Sequence, residues 1–243
     1  MRVLVTRARP DAERTAKRLV ALGHEAVIAP ILEIVPTGAP RPPGPWEALI
    51  VTSAHAVPAL AAIEDKDHLV FAVGGRTAEA VAEAGFTSIL TAEGDAVSLA
   101  AMIRRDLAPG AALLHVTGLH HKAEPDASLR MAGFVVEVWE AYEARAVPVL
   151  PATAAEALRA GRIDAALHYS RRSVDILLRL VEEAGLSPAF RAFRHVCLSA
   201  DVAAPLQGFA ATPVAIAARP EEEALLQVLQ TMQTFGKPSH RPS

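Results

Sequence analysis

The chain alternates short β-branched runs with helical stretches that stop at glycine, and this alternation constrains its fold more than any other feature. Val3-Leu4-Val5-Thr6 reads as a strand. Pro10-Asp11 then opens a helix with Ala12, Ala16, Leu19 and Val20 on one face, and Gly23 stands where a left-handed cap belongs. The pattern recurs toward Gly85, Gly133, Gly161, Gly185 and Gly208. Thr153-Ala-Ala-Glu156 reads as a capping box, and Pro220 with the glutamates after it opens the last helix. Repeated strand–helix–strand units imply parallel sheets covered by helices.

About ten strands are expected, near residues 2–6, 26–30, 47–52, 69–73, 88–91, 112–117, 134–139, 164–169, 195–198 and 213–217. Sheets usually hold about four to six strands. The reading is therefore an α/β protein with two Rossmann- or flavodoxin-like domains, each carrying a parallel five-stranded sheet. An internal echo supports the duplication. Leu49 to Val57 resembles Ala166 to Val174, and Val73 to Ala78 resembles Leu198 to Ala203. Residues 36–45 are crowded with proline and read as a linker, and a second extended stretch runs from Tyr142 to Pro151. If the chain crosses at both places, residues 37–145 form an inserted domain and residues 1–36 join 146–243 in the other. The tail after about Thr234 is expected to be disordered.

Hydrophobic residues make up 51% of the chain and charged residues 21%, which suits a well-buried globular protein. The net charge of −3 lacks the basic excess that nucleic-acid binding needs, so no nucleic-acid partner is expected. No apolar run approaches the roughly 18–20 residues of a membrane span, and the apolar run in MRVLVTRARP is too short for that of a signal peptide. The expectation is a cytoplasmic protein. Cys197 is the sole cysteine; its apolar flanks suit a small buried hydrophobe better than a catalytic thiol.

The first strand runs into Thr6-Arg7-Ala8-Arg9-Pro10 without the glycines of a dinucleotide site, and no Walker A sequence occurs. His115, His120 and His121 lie near Glu124 and Asp126, yet no metal-ligand spacing such as H-E-x-x-H is present, so no metal is expected. Their role stays open between anion contact and solvent exposure. The strand-to-helix turns say more: Thr6-Arg7, Thr52-Ser53, Gly74 to Thr77, Thr117-Gly118, Tyr169-Ser170 and Ser199. In a parallel sheet such turns lie at the carboxyl ends of the strands, where ligands bind. They also present backbone N–H groups suited to anions. Ser53, Ser170 and Ser199 equally suit plain helix caps. With Arg7, Arg76, Lys122, Arg130, Arg171 and Arg172 nearby, the turns would line a cleft for a large polyanion.

Taken in order, several of these segments resemble the uroporphyrinogen-III synthases. They are the opening Val-Leu-Val-Thr-Arg, Thr52-Ser53-Ala-His-Ala-Val57, Val73-Gly-Gly-Arg-Thr77-Ala78, Gly118 ahead of a helix ending at Gly133, Ala141-Tyr142-Glu143, and Tyr169-Ser170. The resemblance covers essentially residues 1–230. It implies two α/β domains joined by a two-stranded connector with the active-site cleft between them. It also implies an enzyme that needs no cofactor and acts on the linear tetrapyrrole hydroxymethylbilane; a monomer is expected. By the same resemblance Tyr142 is the catalytic candidate. Arg7, Thr52, Ser53, Thr77, Gly118, Lys122, Tyr169, Ser170 and Ser199 are the substrate-binding candidates. Two positions depart from the family pattern: Val202 leaves the second half without the hydroxyl that Thr77 supplies in the first, and Tyr169 is bulky. A non-catalytic two-domain module that binds a tetrapyrrole or another polyanion is the competing reading.

Overall fold

The computed structural model describes residues 1–93 and 95–234, so the tail beyond Thr234, expected to be disordered, lies outside the described residues. The strands are β1 (Arg2–Val5), β2 (Glu25–Ile28), β3 (Leu32–Pro36), β4 (Ala48–Val51), β5 (Leu69–Val73) and β6 (Ile89–Ala92). They continue with β7 (Ala112–Gly118), β8 (Val135–Ala146), β9 (Ala165–His168), β10 (Arg194–Cys197) and β11 (Ala215–Ile216). The helices are α1 (Arg9–Ala21), α2 (Val57–Leu60), α3 (Gly75–Glu83), α4 (Ala96–Asp106) and α5 (Asp126–Met131). After them come α6 (Ala152–Arg159), α7 (Arg171–Glu183), α8 (Ser187–Arg191), α9 (Ala200–Ala203) and α10 (Glu222–Thr234). No helix among the described residues is long and apolar enough to cross a membrane.

The chain divides into two compact units, Met1–Glu33 with Arg145–Ser243, and Ile34–Ala144. One sheet has the strand order β11-β10-β9-β1-β2, the other β3-β8-β7-β4-β5-β6. The pairings of β1 with β2 and β9, and of β4 with β5 and β7, are parallel. In each sheet a founding strand, β1 or β4, has its successor on one side and later strands on the other. The order therefore reverses between β1 and β9, and again between β4 and β7. Those two crevices are the switch points where open α/β sheets hold ligands.

The sequence predicts five strands per sheet, and the second sheet has six. The extra strand is β3, which lies against β8 at the sheet edge. It alternates apolar residues with Glu33 and ends at Pro36, and an edge position tolerates both features. Similarly, β8 runs on to Ala146 through a stretch read from sequence as part linker. The chain passes from one unit to the other within β3 and again within β8.

Apolar residues cover both faces of each sheet, which is why the central strands read as unbroken hydrophobic runs. Val3 and Val5 face one cluster while Leu4 faces another. Ala48 and Ile50 likewise point away from Leu49 and Val51. Each such fully buried Val or Leu contributes about 1.5–3 kcal/mol. Gly23 takes φ 77°, and the His24 N–H reaches back to the Leu19 carbonyl, closing α1 as its spacing predicts. Two local expectations fail. Val20 is 65% exposed, because the buried face of α1 is rotated to take in Asp11 and Thr15 beside Ala12 and Leu19. The capping box at Thr153 does not form: α6 starts earlier, after Pro151, and the Thr153 hydroxyl donates to the Ile28 carbonyl.

Candidate active site

In the Ile34–Ala144 unit the switch point lies between the ends of β4 and β7, and there a cleft of about 250 Å³ opens. Thr52, His115, Gly118, His120, Lys122 and Tyr142 are among its lining residues. The register between β7 and β8 slips at Thr117/Gly118, so Thr117 pairs with Glu140 and Gly118 with Tyr142. This bulge seats the Tyr142 ring on the Gly118 backbone. A Cβ at Gly118 would lie 2.8 Å from Tyr142 Cε2 and 2.9 Å from Cζ, so glycine alone leaves room for the ring. The Leu119 N–H donates to the Tyr142 carbonyl at 2.8 Å, and the His55 ring meets the phenol edge-on at 6.0 Å.

Behind this wall His115 is buried, whereas His120 and His121 are exposed. Its Nδ1 lies 2.8 Å from Asp126 Oδ1 and its Nε2 3.2 Å from Thr52 Oγ1. His121 Nδ1 donates to the Gly118 carbonyl at 3.0 Å, and His121 meets the His115 ring edge-on. Lys122 is exposed at the cleft. The structure thus brings Thr52, Gly118, Lys122 and Tyr142 together. Ser53 and Thr77 stand outside the lining: Ser53 accepts from the His55 N–H as a cap, and Thr77 is buried in the first turn of α3. No three His, Cys, Asp or Glu side chains among the described residues are grouped to hold a metal ion.

In the other unit, the switch point between β1 and β9 is occupied by the protein's own side chains. The Arg7 guanidinium stacks on the Tyr169 ring at 4.0 Å and pairs with Asp11 and Glu222, each at 3.1 Å. Tyr169 donates its hydroxyl to Glu222 at 2.7 Å, and Thr15 donates to the same oxygen at 2.6 Å. Arg18 completes the set at 2.9 Å from Glu222. Burial pushes the Tyr169 hydroxyl pKa up, and the Glu222 charge pushes it further, so the phenol stays protonated. Burial alone would raise Glu222, but hydrogen bonds from Thr15 and Tyr169, with Arg7 and Arg18, hold it below its ordinary range. Arg7 and Tyr169 are therefore committed to joining α1 with α10. Ser170 and Ser199 each cap a helix, accepting from the Ser173 and Val202 N–H groups.

Two other expected cations are also engaged. Arg130 donates to the Val136 carbonyl at 2.8 Å, and Arg171 pairs with Asp201 at 3.2 Å. Cys197 is buried and its thiol is pushed up to about 12 by burial, so it packs as an apolar residue. Sequence reasoning missed Glu222, and it missed the row formed by Asp126, His115 and Thr52. The helical spacing of Asp11, Thr15 and Arg18 on one face of α1 was the available signal for Glu222.

A family model described as uroporphyrinogen-III synthase HemD matches residues 13–227. The chain is similar in structure to a uroporphyrinogen-III synthetase from Helicobacter pylori, with TM-score 0.63 and 16% identity, over 95% of this chain and 98% of that one. It is also similar to a mutant uroporphyrinogen III synthase from Thermus thermophilus, with TM-score 0.53 and 17% identity, over 97% and 99% of the two chains. At these identities the likeness shows the fold. A comparison with curated protein sequences finds no match.

Proposed function

Because the chain belongs to the uroporphyrinogen-III synthase family, whose members are lyases of haem biosynthesis, we propose that it cyclises hydroxymethylbilane to uroporphyrinogen III. The terminal hydroxyl leaves as water and the last pyrrole ring is inverted through a spiro intermediate. Electron release from a pyrrole nitrogen expels the hydroxyl and leaves an azafulvene electrophile. The proton that departs with the hydroxyl is balanced by one lost from the ring carbon that closes the macrocycle. Nothing is oxidised or reduced, so the reading requires no cofactor. The protein's work is to assist departure, fold the chain and direct the attack.

The observation that carries this reading is the Tyr142 ring seated on Gly118 in the cleft wall, beside Thr52 and Lys122. Tyr142 donates its hydroxyl hydrogen to the departing oxygen. Thr52, Ser53, Thr77, Gly118 and Lys122 bind substrate in one domain, residues 37–145. Ser170 and Ser199 do so in the other, residues 1–36 with 146–243, where Arg7 and Tyr169 brace the wall. The backbone N–H groups opening α3 and α7 take substrate carboxylates. In this reading both domains close on one substrate, with β3 and β8 as the two-stranded connector, and the protein works as a cytoplasmic monomer. The test is incubation with freshly generated hydroxymethylbilane, without added metal or nucleotide, and chromatographic separation of the product isomers. Mainly type III product is expected; type I product at the no-enzyme rate would sink the assignment.

A further inference from the structure

Thr52, His115 and Asp126 come from three elements yet form one hydrogen-bonded row. Thr52 follows β4, His115 lies in β7 and Asp126 opens α5. His115 is 1% exposed and Asp126 2%. A carboxylate oxygen accepts, which pairs the 2.8 Å contact to Asp126 with a hydrogen on His115 Nδ1. A ring with its hydrogen on Nδ1 alone accepts at Nε2, and in that tautomer the Thr52 hydroxyl is the donor across the 3.2 Å. A solvated hydroxyl turns its hydrogen toward any partner. In that tautomer the hydrogen is turned inward before a ligand arrives, and Thr52 Oγ1 offers the cleft only lone pairs.

We propose that His115 and Asp126 are positioning residues that fix Thr52 Oγ1 as a hydrogen-bond acceptor for a pyrrole N–H of the substrate, an inference that rests on the tetrapyrrole reading above. Polarity selects the substrate group. Ionised side-chain carboxylates of a tetrapyrrole have no hydrogen to give, whereas its pyrrole nitrogens do. As the terminal hydroxyl departs, positive charge builds on the nitrogen that expels it, and that N–H becomes a stronger donor. The bond to Thr52 therefore tightens between ground state and transition state. Such a contact raises kcat more than it lowers KM.

The row is tested first in the wild type, by nitrogen-15 NMR of the His115 ring at assay pH. Hydrogen on Nδ1 and a bare Nε2 are expected; hydrogen on Nε2 overturns the proposal. This measurement does not depend on turnover. If the wild type yields only the type I isomer, the pyrrole contact falls with the functional reading, and the NMR result still decides whether the row exists. Kinetics come second. Thr52→Val should lower kcat about 10- to 100-fold and change KM by less than about threefold, while Thr52→Ser recovers most of the loss. Asp126→Asn presents an amide that can donate to Nδ1, which moves the ring hydrogen to Nε2 and reverses the polarity at Thr52. Its loss should match that of Thr52→Val, with no further loss in the double variant. Losses that multiply, or an unchanged kcat in Thr52→Val, overturn the proposal. Should Asp126→Asn fail to fold, the two Thr52 variants and the wild-type NMR decide the matter.

Discussion

A methyl group at Gly118 would collide with the Tyr142 ring, so these two residues act as one. That coupling separates a catalytic tyrosine from a packing one. Tyr142→Phe keeps the ring on its glycine and removes one oxygen. If the hydroxyl assists departure of water, turnover should fall about 10- to 1,000-fold, the usual contribution of a positioned acid. The melting temperature should hardly move. Gly118→Ala keeps the hydroxyl and displaces the ring, so its turnover should fall at least as far. Steady-state rates of type III formation and thermal melts check both; full turnover in either variant would reduce Tyr142 to a packing residue. The residue itself was legible in the sequence only through family resemblance, because nothing in Ala141-Tyr142-Glu143 foretells the bulge that aims it. The row behind it was not legible at all. Thr52 stands 63 positions from His115, which stands 11 from Asp126, and only the parallel pairing of β4 with β7 joins them.

At the scale of elements, the junction of α1 with α10 shows how a charge read as ligand-facing becomes structural. Arg7 stood at a strand end in the sequence, where an anion-binding cation belongs. In the structure the anion that Arg7 meets is the carboxylate of Glu222, 215 positions away. Glu222 accepts from Thr15, Tyr169, Arg7 and Arg18 while its side chain is only 18% exposed. Glu222→Ala leaves these donors unanswered and should cost about 2–4 kcal/mol of stability in urea unfolding. Arg18 is twice as exposed, with its side chain 36% accessible, and Arg18→Ala should cost less than about 1 kcal/mol. Equal losses in the two variants would mark the junction as ordinary surface pairing. The strands were easier to read than this junction. Runs such as Ala48–Val51 are apolar on both faces and announce themselves, whereas β3 mixes Glu33 and Pro36 into an edge and so passes for linker.

For the molecule as a whole, pH should act on stability through a buried histidine pair. His168 and His195 stack on neighbouring strands with Nε2 of the first 3.0 Å from Nδ1 of the second. His195 Nε2 donates to the Phe190 carbonyl at 3.0 Å, so its Nδ1 accepts from His168 and both rings are neutral. Burial holds both well below the ordinary histidine value, and for His168 the neighbouring ring adds to the effect. The unfolded chain therefore binds more protons than the folded one below about pH 6.5. Stability from this source is complete above that pH and falls as pH drops beneath it. The pair should cost about 2–3 kcal/mol between pH 8 and pH 5.5. Glu222, whose carboxyl is held low, contributes a loss of the same sign only below the ordinary carboxylate range. Urea midpoints across this range check the prediction, and a flat profile from pH 8 to 5.5 would refute it.

The order in which the ribosome delivers this chain is at odds with the order of its first sheet. β1 is made ahead of the inserted unit, yet it lies between β2 and β9 in the finished sheet, and β9 begins only at Ala165. All of residues 34–144 must emerge in the meantime, and they contain every strand from β4 to β7. At a usual pace of about 5–20 residues per second, that wait is on the order of ten seconds. The inserted unit thus has its own sheet in hand while β1, made before it, still lacks a neighbour on one side.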